Sequence, residues 1–191
     1  MKFASRVVCA LAACLSLSST HVAANPDPAW YIGASASRAE LDYFLPDNRD
    51  SGWSLYGGRE IGRYGLIEAR YSDLGRFGYR NIPALGGSTF ADLDSTGLAG
   101  GVRVPFAGER FGIDALVGVQ RWRADYVLDR SGVTSGFQPS ASGTDPWYEV
   151  RLRWAITERF SLTASHTWLT LDDDSIDGRL KVLGGGLLFR F

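Results

Sequence analysis

Apolar and polar residues alternate with a period of two through most of the chain after its first two dozen residues. Trp30, Ile32, Ala34 and Ala36 fall on one side of an extended segment, and Tyr31, Gly33, Ser35 and Ser37 on the other. Leu55 and Ile61 oppose Ser54, Tyr56 and Glu60. Ile67, Ala69 and Tyr71 oppose Glu68, Arg70 and Ser72. The pattern recurs with Leu98, Val102 and Val104 against Gly97, Gly101 and Arg103, and with Phe111 through Val119 against Asp114, Gly118 and Gln120. Val150, Leu152 and Trp154 oppose Glu149, Arg151 and Arg153, and Phe160, Leu162, Ala164 and Trp168 oppose Ser161, Thr163, Ser165 and Thr167. The last segment sets Leu183, Gly185, Leu187, Phe189 and Phe191 against Val182, Gly184, Gly186, Leu188 and Arg190. This predicts eight strands.

The connections alternate in length. Short ones fall near Gly62–Tyr64, Pro105–Arg110 and Ile156–Arg159; long polar ones span roughly Ala39–Ser51, Arg76–Ala91, Ala124–Pro146 and Asp172–Gly178. Such alternation predicts an up-and-down barrel with short turns at one end and long loops at the other. The stretch Ser131–Thr144, rich in Ser and Gly, reads as mobile.

One face carries nearly all the central charges: Glu60, Glu68, Arg70, Arg103, Asp114, Glu149, Arg151 and Arg153. A soluble barrel would turn that face to water, and a membrane barrel would turn it to the lumen. Parity alone does not choose. The apolar faces, however, end in aromatics (Trp30, Tyr71, Phe111, Trp154, Trp168, Phe189, Phe191), as an interfacial girdle does. The polar faces are rich in Gly and Ser, which suit the tight interior of eight strands. The pattern therefore predicts an all-β fold, an eight-stranded antiparallel up-and-down transmembrane β-barrel. The soluble, lipocalin-like barrel is the competing reading.

Residues 1–24 read as a secretory leader. Lys2 and Arg6 precede the apolar run Val7–Leu17, which is too short to span a bilayer, and Val22-Ala23-Ala24 offers a cleavage site before Asn25. Leu11-Ala12-Ala13-Cys14 resembles a lipoprotein processing site and is the alternative. Residues 25–191 then form one barrel domain. Both cysteines, Cys9 and Cys14, fall in the leader, so the mature chain has no disulfide or thiol chemistry. Removing Lys2 and Arg6 leaves 18 basic against 21 acidic residues, a formal charge of −3 and no footprint for nucleic acid.

Candidate chemistry is sparse. His166 is the only histidine beyond the leader and shares the outer face with Trp168; with no base or orienting acid at hand it reads as part of an aromatic belt. Asp173, Ser175, Asp177 and Gly178 mimic the start of a calcium loop, but the closing acid would fall at Gly184, so a solvated hairpin tip is the reading, with loose bridging of divalent ions to lipopolysaccharide as the sharper one. Gly184-Gly185-Gly186 and Gly100-Gly101 precede no helix and no Lys-Ser/Thr, and read as small lumen-facing residues and bends. Arg59 and Arg121 sit near strand ends, where they reach head groups. No metal, cofactor or catalytic residue is assigned.

Several short motifs, in order, resemble the transmembrane domain of the outer membrane protein A family. Trp30-Tyr31-x-Gly33-Ala34 is similar to its first strand, and Gly57-Gly58, Tyr64, Glu68, Tyr71 and Leu74-Gly75-Arg76 to its second and third. Trp122-Arg123-Ala124-Asp125 resembles the end of its fifth strand, Ala155-Ile156-Thr157 its last periplasmic turn, Trp168 a tryptophan on the strand that follows, and Phe189-Arg190-Phe191 its closing strand. The resemblance implies a non-enzymatic Gram-negative outer-membrane barrel with periplasmic termini. Its role would be structural or surface-interacting, through loops that meet host molecules. Lipopolysaccharide, outer-membrane lipids and the barrel-insertion machinery are the implied partners, with Phe191 as insertion signal and a monomeric state. It also implies a lumen closed by ion pairs around Glu68. Partner positions depart from the family: Gly101, Leu116 and Thr163 stand where bases are expected and Arg153 where an acid is. The expected network is Glu68, Arg70, Arg103, Asp114, Glu149, Arg151 and Arg153, with Glu68 and Glu149 pairing to some of the arginines. A Glu68→Ala variant is expected to raise conductance. A peptidoglycan-binding role is not carried over. The alternatives are a lipid A-modifying enzyme and a narrow ion channel.

Overall fold

A computed structural model describes residues 29–42, 48–62, 64–82, 87–106, 110–130, 133–135, 140–173 and 176–191. The expected leader over residues 1–24 lies outside them. Among the described residues nine strands are formed: β1 (Trp30–Asp42), β2 (Arg49–Ile61), β3 (Gly65–Ile82), β4 (Gly87–Phe106), β5 (Phe111–Arg130), β6 (Val133–Ser135), β7 (Ser140–Ala155), β8 (Phe160–Asp173) and β9 (Ile176–Arg190). Each long strand pairs antiparallel with its neighbours, and β1 pairs with β9, so eight strands close on themselves and leave no open edge. The three-residue β6 adds only a short pairing to the far end of β5. Closure is completed where the chain ends meet: Trp30 N donates to Phe191 O at 3.1 Å, and Phe191 N to Trp30 O at 2.9 Å.

The side chains point as a membrane barrel requires. Ile67, Val117 and Leu187 are exposed on the outside, whereas Glu68 and Arg153 are buried in the lumen. This excludes the soluble barrel, which would bury the first set and hydrate the second.

The long polar loops are much shorter than expected, because the strands continue through them. Ala39–Asp42 belongs to β1, Arg76–Ile82 to β3, Ala124–Arg130 to β5, Ser140–Pro146 to β7 and Ile176–Gly178 to β9. Apart from Asn48, only 43–47, 83–86, 131–132, 136–139 and 174–175 remain between strands on that side, outside the described residues, so the mobility expected of Ser131–Thr144 falls partly there, while 133–135 and 140–144 are strand. At 20 residues, β4 and β5 each run to about 66 Å at ~3.3 Å per residue. A tilted transmembrane strand needs about 10 residues, so half of each strand stands clear of the bilayer.

Two sets of aromatics lie on the outer surface. At the end with the short turns Phe111 stacks on Trp154 (6.0 Å) and Phe160 packs tilted against Phe189 (4.9 Å). At the other end Trp53 packs on Tyr71 (5.5 Å), and Tyr148 pairs in register with Trp168. On β8 the rings are eight residues apart, from Phe160 to Trp168. That spans roughly 20 Å along the axis at the usual rise and tilt, close to the ~25 Å apolar band of outer-membrane barrels.

A bulge keeps the parity useful across the boundary. The β3–β4 register slips between Asp73 and Gly75, and Gly75 takes φ +94°, a conformation that L side chains rarely adopt. The slip turns Leu74 and Phe77, three residues apart, both inward, where each is buried.

Candidate functional site: a doubly closed lumen and its outer rim

The lumen of the membrane half is ionic. Arg151, 1% exposed, extends from β7 between two acids. Its Nη1 and Nη2 donate to Glu68 Oε2 and Oε1, both at 2.9 Å, and its Nε donates to Glu149 Oε1 at 2.8 Å. Arg70, from β3, bridges the same acids: Nη2 donates to Glu68 Oε1 at 2.9 Å and Nη1 to Glu149 Oε2. Tyr31 Oη donates to Glu68 Oε2 (3.1 Å) and Thr167 Oγ1 to Glu149 Oε2 (2.7 Å). Two guanidiniums and two carboxylates thus cancel in charge. With the Tyr and Thr hydroxyls, every carboxylate oxygen is satisfied, the condition under which buried ions are tolerated. Arg151 and Arg70 also lie over the Tyr56 ring, at 4.3 and 5.3 Å from its centroid.

The space for these rings comes from glycine. A Cβ on Gly33 would meet Tyr56 Cζ at 2.3 Å, and one on Gly58 would meet Tyr31 Oη at 2.5 Å. The register pairs Gly33 with Tyr56 and Tyr31 with Gly58, so each tyrosine lies flat over its cross-strand partner.

A second ionic layer lies toward the short turns. Arg103 grips Asp114 with two bonds, Nε to Oδ1 (2.7 Å) and Nη2 to Oδ2 (2.9 Å), and also donates to Glu60. Arg190 donates to the other oxygen of Glu60 at 2.7 Å. Glu60 and Arg190 were not among the expected network residues. Their parity, shared with Tyr56 and Leu188, was the signal that could have included them. Arg153, although buried, makes no ion pair with a described residue; its guanidinium lies along Gly112. Of the seven expected residues, Glu68, Arg70, Glu149 and Arg151 form one cluster and Arg103 and Asp114 a second, joined where Arg151 Nη1 reaches Asp114 Oδ2 at 3.9 Å, while Arg153 stands apart.

Beyond the upper aromatic ring the lumen changes character. Leu41, Leu74, Phe77, Leu93, Trp122 and Leu180, with their neighbours, form a buried apolar core. Trp122 and Leu180 are fully buried. The indole N–H of Trp122 donates to Asp145 at 2.5 Å. Between this core and the tetrad of Arg70, Glu149 and their partners lies a cavity of about 20 Å³, lined by Gly97, Gln120, Trp147 and Thr167. It is large enough for about one water. Over this stretch the outward residues are charged: Arg121, Arg123 and Asp125 on β5, and Arg179 and Lys181 on β9. Parity is unchanged, but what it carries has inverted.

Of the expected girdle residues, Trp30, Phe111, Trp154 and Phe189 lie on the short-turn ring and Tyr71 and Trp168 on the other, with Phe191 exposed beside Phe189 at 6.1 Å. Arg59 lies over the Trp30 ring at 5.4 Å. His166 packs against Trp168 at 4.2 Å on the outer face, and its Nε2 has no hydrogen-bond partner among the described residues. Among the described residues no group of three or more potential ligands could hold a metal. The side chains of Asp173–Asp177, in the calcium-like stretch, lie outside the described residues.

A closed eight-stranded barrel, apolar between two aromatic rings and ionic within, defines a small transmembrane barrel of the Gram-negative outer membrane. The outer membrane protein β-barrel domain family matches residues 9–191, and the chain belongs to that family. Three solved structures share the fold. Ail, the attachment invasion locus protein of Yersinia pestis, is 19% identical, with a TM-score of 0.56 over 86% of this chain and 97% of that one. Neisserial surface protein A is 16% identical, with a TM-score of 0.58 over 85% and 99%. The N-terminal barrel of Pseudomonas aeruginosa OprF is 14% identical, with a TM-score of 0.55 over 84% and 97%. No curated protein matches in sequence.

Proposed function

We propose that this non-enzymatic barrel is a sealed structural and surface-presenting component of the outer membrane. One observation carries the reading: two closures stand in series along the lumen, an ionic one in the membrane half and an apolar one above it. Side chains fill an interior of eight strands, and here they do so by two independent chemistries. In this reading Glu68, Arg70, Arg103, Asp114, Glu149, Arg151 and Arg153 hold the barrel shut and rigid. Trp30, Tyr71, Phe111, Trp154, Trp168 and Phe189 hold it at the two interfaces, and Phe191 is the signal read by the insertion machinery. The protein acts as a monomer. Its strand extensions stand clear of the lipid, toward lipopolysaccharide and host surfaces. Ail was solved with a heparin analogue, a precedent for contact between such a barrel and an anionic glycan.

The serial closure revises the expectation for Glu68→Ala. With Trp122 and Leu180 still packed, that variant stays silent in planar bilayers, as does the wild type. A Glu68→Ala/Trp122→Ala/Leu180→Ala variant conducts. Current through the wild type would overturn the sealed reading, and current through Glu68→Ala alone would overturn the second closure.

A further inference from the structure

The cavity between the ionic tetrad and the apolar core has more N–H donors on its wall than acceptors to meet them. Trp147 and Gln120 are 2% and 4% exposed, and the Arg70 side chain is 12% exposed. All three line the cavity, and Trp147 Nε1, Gln120 Nε2 and Arg70 Nε are buried with no hydrogen-bond partner among the described residues. Separate strands bring them together: Arg70 comes from β3, Gln120 from β5 and Trp147 from β7. The Arg70 guanidinium lies over the Trp147 ring, 4.6 Å from its centroid. Gly97 on β4, the register partner of Gln120, leaves the space open. A Cβ there would stand 3.0 Å from Trp147 Nε1 and 3.3 Å from Gln120 Cβ.

Among the described residues no carboxylate lines this cavity. Glu68 and Glu149 take the two Nη groups of Arg70 and leave its Nε. Asp145, which pairs in register with Gln120, turns Oδ2 to Trp122 Nε1 and to the backbone N–H of Asp172. The oxygens on the wall are hydroxyls. Ser54 and Ser72 bond to each other at 2.9 Å, and Thr167 donates to Glu149 at 2.7 Å. A buried N–H without an acceptor is costly, so three of them at one cavity call for an occupant that accepts. A single water accepts two hydrogen bonds, leaves the third donor unmet and brings two protons that need acceptors of their own. A particle that only accepts meets all three.

We propose that the cavity binds one halide ion, chloride in the cell envelope, held by Arg70 Nε, Gln120 Nε2 and Trp147 Nε1. Bonds from N–H groups to an ion in a site with little water are stronger than neutral ones. The volume, about 20 Å³, takes one particle of roughly the size of water and excludes polyatomic anions. Glu149 lies behind Thr167, but Arg70 and Arg151 match its charge. The ion is taken in as the barrel folds, because the tetrad closes one side of the cavity and the apolar core the other. The inference rests on the two closures described above and adds what lies between them.

The test begins with the wild-type barrel refolded in sodium bromide and crystallised, with anomalous scattering used to locate bromine. One peak is expected in the cavity, within hydrogen-bond distance of the three nitrogens. Urea unfolding is then compared for barrels refolded into vesicles in sodium chloride and in sodium gluconate of equal ionic strength. The unfolding equilibrium constant of the wild type is expected to be about tenfold smaller in chloride. For Gln120→Leu and for Trp147→Phe, each lacking one donor, the two salts are expected to give equal constants. Density in the cavity without an anomalous signal, or no density, would overturn the halide. A bromide peak without any difference between the salts would mean an adventitious ion only. A salt dependence kept by both variants would place the ion elsewhere. Bilayer conductance reports on the sealed reading separately, so the two can fail independently.

Discussion

Arg151 shows what a single buried side chain does here. It donates to both Glu68 and Glu149 and is 1% exposed, so removing it leaves Arg70 alone to balance two carboxylates in a site with little water. Breaking a buried ion pair by deleting one partner is much more costly than the net worth of the intact pair. Arg151→Ala is therefore expected to lower the stability of the vesicle-inserted barrel by about 3–5 kcal/mol, read from urea-driven unfolding in phospholipid vesicles. Arg49→Ala, which removes only the exposed partner of Glu40, should give an unfolding curve superimposable on the wild type. A loss for Arg151→Ala no larger than that of Arg49→Ala would mean that water, not the carboxylates, compensates the guanidinium. Glu68 and Arg151 could be found from the sequence because charge on the minority face of a strand pattern is conspicuous. Which acid takes which arginine could not. Arg103 turns to Asp114 and Glu60, and Arg153 to no acid among the described residues, because barrel shear sets the neighbours and parity does not.

Within one strand the same parity serves two solvents. On β9, Leu187 faces lipid and Gly186 the lumen; a few residues earlier, Lys181 faces outward and Leu180 is fully buried. β5 behaves alike, with Val117 and Val119 outward in the membrane half and Arg121 and Arg123 outward above it, while Trp122 and Ala124 fill the interior. This inversion is why the strand extensions read as loops. A search for apolar-out alternation stops where the apolar residues turn inward, although the ladder continues to Arg130 on β5 and resumes at Ser140 on β7. The bulge at Gly75 compounds this on β3 by shifting the phase by one residue. Two substitutions on β9 separate the regimes. Leu180→Ala empties part of a packed core and should cost about 2–5 kcal/mol. Leu187→Arg puts a charge into acyl chains two residues from the short-turn ring and should cost about 1–2 kcal/mol, between the interface and midplane values. Changing the lipid from a thick to a thin bilayer should alter the second cost and leave the first unchanged. If both costs respond alike, the extension lies within the membrane.

At the scale of the molecule the barrel is two structures stacked on one hydrogen-bonded wall. The lower half has acyl chains outside and ion pairs inside; the upper half has water outside and an apolar core inside, like an ordinary soluble barrel. Strand number, orientation and the identity of the lipid-facing residues followed from the alternation pattern, because lipid imposes one rule on every strand it touches. The upper half followed less well, because it obeys the opposite rule and nothing in a local window announces the change. The mature chain expected from the sequence has no cysteine, so single cysteines can be placed at will along β5. Nitroxide labels at positions 113, 115, 117, 119, 121, 123 and 125, in vesicles, test the arrangement most directly through collision with oxygen and with a water-soluble nickel chelate. Oxygen is predicted to dominate from 113 to 119 and nickel from 121 onward, with labels at 116 and 122 nearly inaccessible to both. Nickel access at 115 or 117, or oxygen dominance at 123 and 125, would contradict it.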